Sequence, residues 1–164
     1  MRAMEKQAVT VADDPTPDHE AMDNKEMVRY KFERVWGHGD LTMVDRFTAP
    51  DFVGHDPDFD IKGPAGLKQY MLDFRHAFPD VVFDLQDVVA EEDRVLLRWQ
   101  FDATHTGDFR GMAATGKRVR GIKGMIIMKT REGRVIESWI SVDRLGLVMQ
   151  LGYVPQILAA PAQT

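Results

Sequence analysis

The chain of 164 residues contains no cysteine, so disulfides, thiolate nucleophiles and Cys-ligated metal centres are excluded. It has no apolar run near the ~20 residues that a membrane helix needs. The opening stretch, MRAMEKQAVTVADDPTPDHE, lacks the apolar core of a signal peptide. Excess positive charge is also missing: 21 Lys and Arg against 26 Asp and Glu leave a net charge of -5. That is the wrong field for a sequence-independent nucleic-acid binder. These absences make a cytoplasmic location, with neither membrane nor nucleic acid as partner, the default expectation.

What is present is ordinary for a globular protein, with 44% hydrophobic and 29% charged residues. The length suffices for one domain burying about two-thirds of its unfolded surface. Residues 1–18 are polar, with two prolines, and are expected to form a mobile leader. A domain over 19–153 and a C-terminal tail over 154–164 follow.

Periodicity then sets the order of elements. His19 to Trp36 reads as a partly apolar helix stopped by Gly37 and Gly39, and Asp40 as the N-cap of a short helix through Phe47 that "TAPDF" breaks. In "IKGPAGLKQYMLDFRHAFPD", Pro64 suits a first turn and Leu67, Tyr70, Met71, Phe74 and Phe78 form a helical stripe ended by Pro79. Past Pro79 the period drops from about 3.6 to about 2. Two strands joined at Glu92-Asp93 follow, with Val95, Leu97, Trp99, Phe101 and Ala103 on one face of the second. A further hairpin turns at Arg131 to Gly133, and a short helix runs from Arg144 to Leu151, stopped by Gly152. Helices first, then an antiparallel meander, make an α+β design in which a curved, mostly antiparallel sheet forms a cone closed by N-terminal helices. Such a cone offers a cavity to a small apolar ligand.

Asp143 stands where the last strand meets the last helix. It is either a helix cap or a carboxylate aimed by the strand to move protons. Trp139 and Ser141 share its strand face, which predicts that all three face the cavity. His55, in "GHDPDFD", is either a histidine bonded to a neighbouring aspartate or a cavity-wall donor. His105 is either a loop-shaping residue or a pocket group. His55, Asp56, Asp58 and Asp60 superficially suggest a metal site, but no HExxH, His-x-His or calcium-loop spacing is present; no metal is expected. Arg98, between Leu97 and Trp99, is half-exposed at the cone's edge or buried with Asp102 or Asp143. Lys117, Arg118, Arg120 and Lys123 lie on an outward strand face or clamp an anionic tail, with Lys123 the pocket member by parity with Trp139. Met112, Met125, Met128 and Met149 suit core filling or a pliable pocket wall.

The segments "FVGHDP", "GPAGLKQYMLDFRHAFPDVVFDLQDVVAEEDRVLLRW", "ATHTGDFRGMAATGKRV" and "EGRVIESWISVDRLGLVMQLG" together resemble the SnoaL-like polyketide cyclases, often labelled ester cyclases, over about Met27 to Gly152. The resemblance implies the nuclear-transport-factor-2-like (cystatin-like) cone. It also implies a cofactor-independent enzyme of secondary metabolism that closes a ring by intramolecular aldol chemistry. The family's acid/base aspartate precedes a helix ending in "QLG", a position matched by Asp143. A histidine after the second helix is matched by His55, and a "TH-G-F-G" element by Thr104, His105, Gly107, Phe109 and Gly111. Where aldol cyclases carry a glutamine and a histidine, Lys123 and Met125 stand here. Limonene epoxide hydrolase, on the same cone, uses an Asp-Arg-Asp set, and Gln100 occupies one of those places beside Arg98. Three activities are therefore open: ring closure with Asp143, His55 and His105 as acid/base and donors, epoxide opening, and hydroxylation. A non-catalytic ligand binder is the fourth reading. Trp139, Trp99 and Tyr30 are the expected apolar walls, a hydrophobic small molecule the expected ligand, and a homodimer through the sheet the expected assembly.

Overall fold

The computed structural model describes residues 22–153; the expected leader over 1–18 and tail over 154–164 lie outside them. Helices α1 (Asn24–Phe32) and α2 (Thr42–Phe47) lead into strand β1 (Thr48–His55), the short β2 (Asp60–Lys62) and helix α3 (Gly63–Ala77). Strands β3 (Val82–Glu91), β4 (Arg94–Thr104), β5 (Arg118–Arg131) and β6 (Arg134–Val142) follow, then helix α4 (Arg144–Leu151). The six strands form one curled, unclosed sheet in the order β2-β1-β6-β5-β4-β3. Only the β1–β6 pairing is parallel. No helix among the described residues is long and apolar enough to cross a membrane.

The alternation in β4 becomes burial: Val95, Leu97, Trp99, Phe101 and Ala103 all face the helices and are at most 5% exposed. Register slips in β3 between Leu85 and Asp87, and between β4 and β5 near Phe101, are the bulges that let the sheet curl. On the concave side lie Met27, Val28 and Phe32 of α1, Leu67 and Met71 of α3, and Phe78 behind it, all buried.

Three local expectations change. The first helix is α-helical only to Phe32 and then widens into a π-helical turn, Glu33–Gly37. That turn carries Trp36 inward, edge-on to Tyr70, Phe74 and Phe83. "TAPDF" does not merely break a helix; it opens β1. Proline hides this strand from pattern reading, because it cannot donate to a ladder, and the β1–β6 register slips between Thr48 and Val53 around Pro50. The three-residue β2 is too short to show a period.

At the end of β1, His55 sits on the convex face of the sheet, stacked on Trp139 with ring centroids 5.5 Å apart. Its Nδ1 meets Asp60 Oδ1 at 2.9 Å and its Nε2 meets Glu137 Oε1 at 3.0 Å. Glu137 first, then Asp60, raise its pKa above the ordinary 6.5. Because the folded value lies above the unfolded one, the clamp contributes full stability below about pH 6.5 and loses it as pH rises through the folded pKa. Replacing His55 by glutamine is therefore expected to lower the melting temperature more at about pH 5.5 than at about pH 9. An equal loss at both, measured by thermal denaturation, contradicts the clamp.

Close approach is required at Gly124, opposite Trp99. A Cβ there would overlap the benzo edge of the Trp99 indole, whereas one at Gly121 would meet nothing within 4 Å and suffer only from a φ of +60°. Gly124→Ala is expected to destabilise by about 1–3 kcal/mol through overpacking and to change the near-ultraviolet dichroism of tryptophan. Gly121→Ala should cost about 1 kcal/mol and leave that spectrum unchanged. A Gly124→Ala loss no greater than that of Gly121→Ala refutes the packing argument.

Candidate functional site

The concave side of the sheet and the helices enclose a cavity of about 330 Å³. Its walls are mainly aromatic and aliphatic: Phe32 and Trp36, Phe74 of α3, Phe83 of β3, Trp99 and Phe101 of β4, Ile126 of β5, Ile140 and Val142 of β6, and Leu147 of α4. The indole N–H of Trp99 is buried without a hydrogen-bond partner among the described residues, so this wall holds an unused donor. Gly124 explains how so large a side chain fits against β5.

Charge enters the lining at Asp58, Arg110 and Arg144, with the Tyr70 hydroxyl nearby. Behind them Asp56 has no exposed side-chain surface. Its Oδ2 accepts from Tyr70 Oη and Arg110 Nη2, each at 3.0 Å. Its Oδ1 accepts from Arg144 Nη2 at 2.5 Å and from the Asp58 backbone N–H at 3.1 Å. Asp58 Oδ2 bridges Nη1 of both arginines. Burial works to raise the Asp56 pKa, but the hydrogen bonds from Arg144, the Asp58 amide and Arg110 outweigh it and hold the carboxyl below its ordinary value. Burial, with the Asp56 charge beside it, pushes Tyr70 up to about 12, so its hydroxyl stays a donor at neutral pH.

Local structure places each of these groups. Phe109 and Met112 exchange backbone hydrogen bonds at 2.9 and 2.8 Å, closing a two-residue turn in which Arg110 and Gly111 have φ of +49° and +80°. That is the primed hairpin turn, and a non-glycine in the left-handed region costs free energy that the two aspartates offset. The Arg110 guanidinium also lies 5.1 Å from the Phe59 ring and 5.5 Å from the Phe109 ring. Arg144 is the first residue of α4 and projects from it into the cavity.

Asp143 caps that helix: Oδ1 accepts from the Gly146 backbone N–H at 2.8 Å. It is exposed and does not line the cavity. The expectation that Trp139 and Ser141 face inward is reversed. Trp139 lies on the convex face, 36% exposed, between His55 and the Arg94 guanidinium at 5.6 Å. Parity with Trp139 holds for Lys123 and Met125, which are therefore outside too, Met125 at 48% exposure. Arg98 also points outward, bonded to Asp87 Oδ2 at 2.5 Å and to Gln86, rather than to Asp102 or Asp143. Alternation identifies two faces of a strand but not which one the helices cover, and the placements of Trp139, Ser141, Lys123 and Met125 follow from that one choice.

His105 is fully buried beside the core, stacked on Phe78 with centroids 5.2 Å apart. Its Nδ1 lies 3.2 Å from Thr115 Oγ1, its backbone holds Lys117 and Gly116, and burial lowers its pKa. It shapes the loop after β4 and does not line the cavity. Tyr30 packs edge-on to Phe47 at 5.9 Å, also outside the lining. Of the expected site residues, Trp99 lines the main cavity, and so does Met112, one of the four methionines offered as core filler or pliable wall. Asp56, Asp58, Arg110, Arg144 and Tyr70 were the missed group. The acid-dense "HDPDFD" suggests partners for His55 or a metal and gives no sign of the arginines it meets, and "DFRGM" carries the other signal, an arginine between an aromatic and a turn glycine.

The sequence profile of the SnoaL-like polyketide cyclases matches residues 26–151. No curated protein matches the chain. Among solved structures, AclR, a candidate hydroxylase from Streptomyces galilaeus, is similar with a TM-score of 0.70 and 30% identity, covering 80% of this chain and 97% of that one. IdmH, a candidate polyketide cyclase from Streptomyces antibioticus, has a TM-score of 0.67 and 24% identity over 79% of this chain and 99% of that one. A candidate SnoaL-like polyketide cyclase from Jannaschia sp. CCS1 has a TM-score of 0.73 and 20% identity over 79% and 92%. The last two likenesses speak to the fold alone. With the matched profile spanning all elements from α1 to α4, the chain belongs to the SnoaL-like polyketide cyclase family and has its nuclear-transport-factor-2-like fold.

Proposed function

We propose that this protein closes a ring on an apolar, carbonyl-bearing small molecule by acid/base chemistry, at the charged end of the 330 Å³ cavity. The observation that carries this reading is the otherwise apolar lining, whose only charged side chains among the described residues are Asp58, Arg110 and Arg144. Aldol closure needs a proton acceptor beside a carbonyl and positive charge where the enolate develops. Both guanidiniums engage Asp58 through Oδ2, and Oδ1 has no hydrogen bond among the described residues. In this reading Oδ1 takes the proton from the carbon next to the carbonyl, and Arg110 and Arg144 stabilise the enolate oxygen. The enolate carbon then bonds to a second carbonyl carbon, and the proton returns to the alkoxide formed there. The unpaired Trp99 N–H is available to a further carbonyl oxygen. Asp143, matched by resemblance to the family's acid/base, here fixes the helix start that presents Arg144.

The test is turnover of a phenyl-substituted linear diketone, with products read by mass spectrometry. Ring closure followed by dehydration loses one water. Asp58→Asn is expected to lower turnover about 10²-fold or more, whereas Asp143→Asn, which preserves the cap, should stay within a few-fold of wild type. The reverse ranking would return the chemistry to Asp143. A product that gains oxygen from dioxygen would favour hydroxylation, the activity in the name of the Streptomyces galilaeus protein. An epoxide that gains water would favour hydrolysis, and tight binding without turnover a binder.

We also propose a homodimer through the convex face of the sheet. Val89, Leu96, Ile127, Trp139 and His55 stand in one cross-strand row, and Val89, Ile127 and Trp139 are 60%, 38% and 36% exposed. Apolar side chains in such a row favour association. Sedimentation of wild type should give a dimer and of Ile127→Glu a monomer; a monomeric wild type refutes the assembly.

A further inference from the structure

A second titratable group lies deep in the fold, away from the charged cluster. Lys31, on the inner face of α1, is 5% exposed. Its Nζ donates to Thr48 Oγ1 at 2.8 Å and, over a long 3.5 Å, to the Phe47 carbonyl. Among the described residues it has no carboxylate partner. Lys31 lines a smaller chamber of about 40 Å³, walled also by Phe52, Ile61, Leu67 and Met128. This chamber shares Trp36, Tyr70, Ile126 and Ile140 with the main cavity.

A neutral amine has two N–H groups and one lone pair. With both N–H groups donated to these two oxygens, the lone pair is left without a hydrogen bond. An ammonium would have a third N–H with only the Phe52 ring, 5.9 Å away, at the limit of cation–π range. Burial lowers the amine to a pKa of about 7, so about half is uncharged at neutral pH, against about one part in 10³ of an exposed lysine near 10.4. The other titratable residues at the chamber are Tyr70, held by Asp56, and His55 at the end of β1, whose ring stacks on the outward Trp139 and is held by Asp60 and Glu137.

We propose that Lys31 is a covalent docking site for small carbonyl compounds, which condense reversibly with its amine in the chamber beneath the main cavity. The Nζ lone pair attacks the carbonyl carbon, the C–N bond forms, and the oxygen takes the proton that nitrogen gives up. Loss of that hydroxyl as water leaves the imine, and water reverses the step. Water's share of liquid volume is about 30 Å³, so the 40 Å³ chamber takes only the carbonyl end of a compound, and the rest of its body would extend past the shared walls into the main cavity. The site acts whether or not the cavity closes rings, because labelling requires no turnover.

The experiment treats the whole chain with propanal and cyanoborohydride, which delivers hydride to the imine carbon, between about pH 6 and 9, and maps propylated lysines by peptide mass spectrometry. Lys25, Lys62 and Lys123, all exposed, are internal references. At about pH 7, Lys31 should be modified at least tenfold faster than these, with a rate that levels off above its pKa while theirs climb about tenfold per pH unit. Absence of label on Lys31, or labelling no faster than the references with the same pH slope, overturns the proposal. The second result would mean that modification follows unfolding.

Discussion

Asp56 carries its carboxylate with no exposed surface, and the charged end of the cavity is built around it. A buried carboxylate is tolerated only when its charge is paired and its oxygens are hydrogen-bonded. Here the partners come from four separate segments: the loop after β1 through the Asp58 amide, α3 through Tyr70, the turn after β4 through Arg110, and α4 through Arg144. None of these segments can move without leaving a buried charge short of a partner, an arrangement whose disruption typically costs about 3–5 kcal/mol. The requirement locks the loops that pattern and propensity leave free. It also explains why Arg110 holds a left-handed backbone conformation that its side chain disfavours.

Lys31 is the counter-case on the same concave side. Both groups are buried, but Asp56 is surrounded by compensating charge and stays ionised, whereas Lys31 meets two neutral oxygens and apolar walls. Desolvation acts on both in the sense that disfavours charge. It loses at Asp56, where two guanidiniums and an amide oppose it, and wins at Lys31, where nothing does. The cone therefore holds a fixed charge at one place and a group of variable charge at another, by a difference in neighbours rather than in depth.

The regular elements were legible because their hydrophobic periods are long and clean. The stripe of α3 and the alternation of β4 each run over ten or more residues and survive as burial. The segment from Thr48 to Lys62 was not legible. Pro50 interrupts its ladder, β2 has three residues, and the loop between them is organised by the Asp56 ion pairs, whose partners Arg110 and Arg144 are 54 and 88 residues away. The π-helical turn at Glu33–Gly37 looks, in sequence, like the continuation of a helix. The fold was read from local patterns, and the charged cluster lay in long-range pairs that no local pattern encodes.

The join of β6 and α4 shows how near that cluster was. Residues 140, 142 and 144 line the cavity, while Trp139, Ser141 and Asp143 are exposed. Strict alternation thus persists into the first helical residue, and the inward group at the join is an arginine, not the aspartate before it. Choosing the other face would have selected Arg144 from the sequence. The information for that choice was in the facing strand: Glu137 pairs with Lys129 in register, and Ser141 with Met125, which Lys123 precedes by two. Lys123 and Lys129, on either side of Met125 and Ile127, mark that face of β5 as the one in contact with water, and Trp139 belongs to it despite its size. A large aromatic is a poor guide to which face is covered, because an exposed sheet surface can shelter it between a histidine and an arginine as Trp139 is sheltered here. Paired charges are the better guide, since an outward ion pair costs little and an inward one requires the kind of enclosure that Asp56 has.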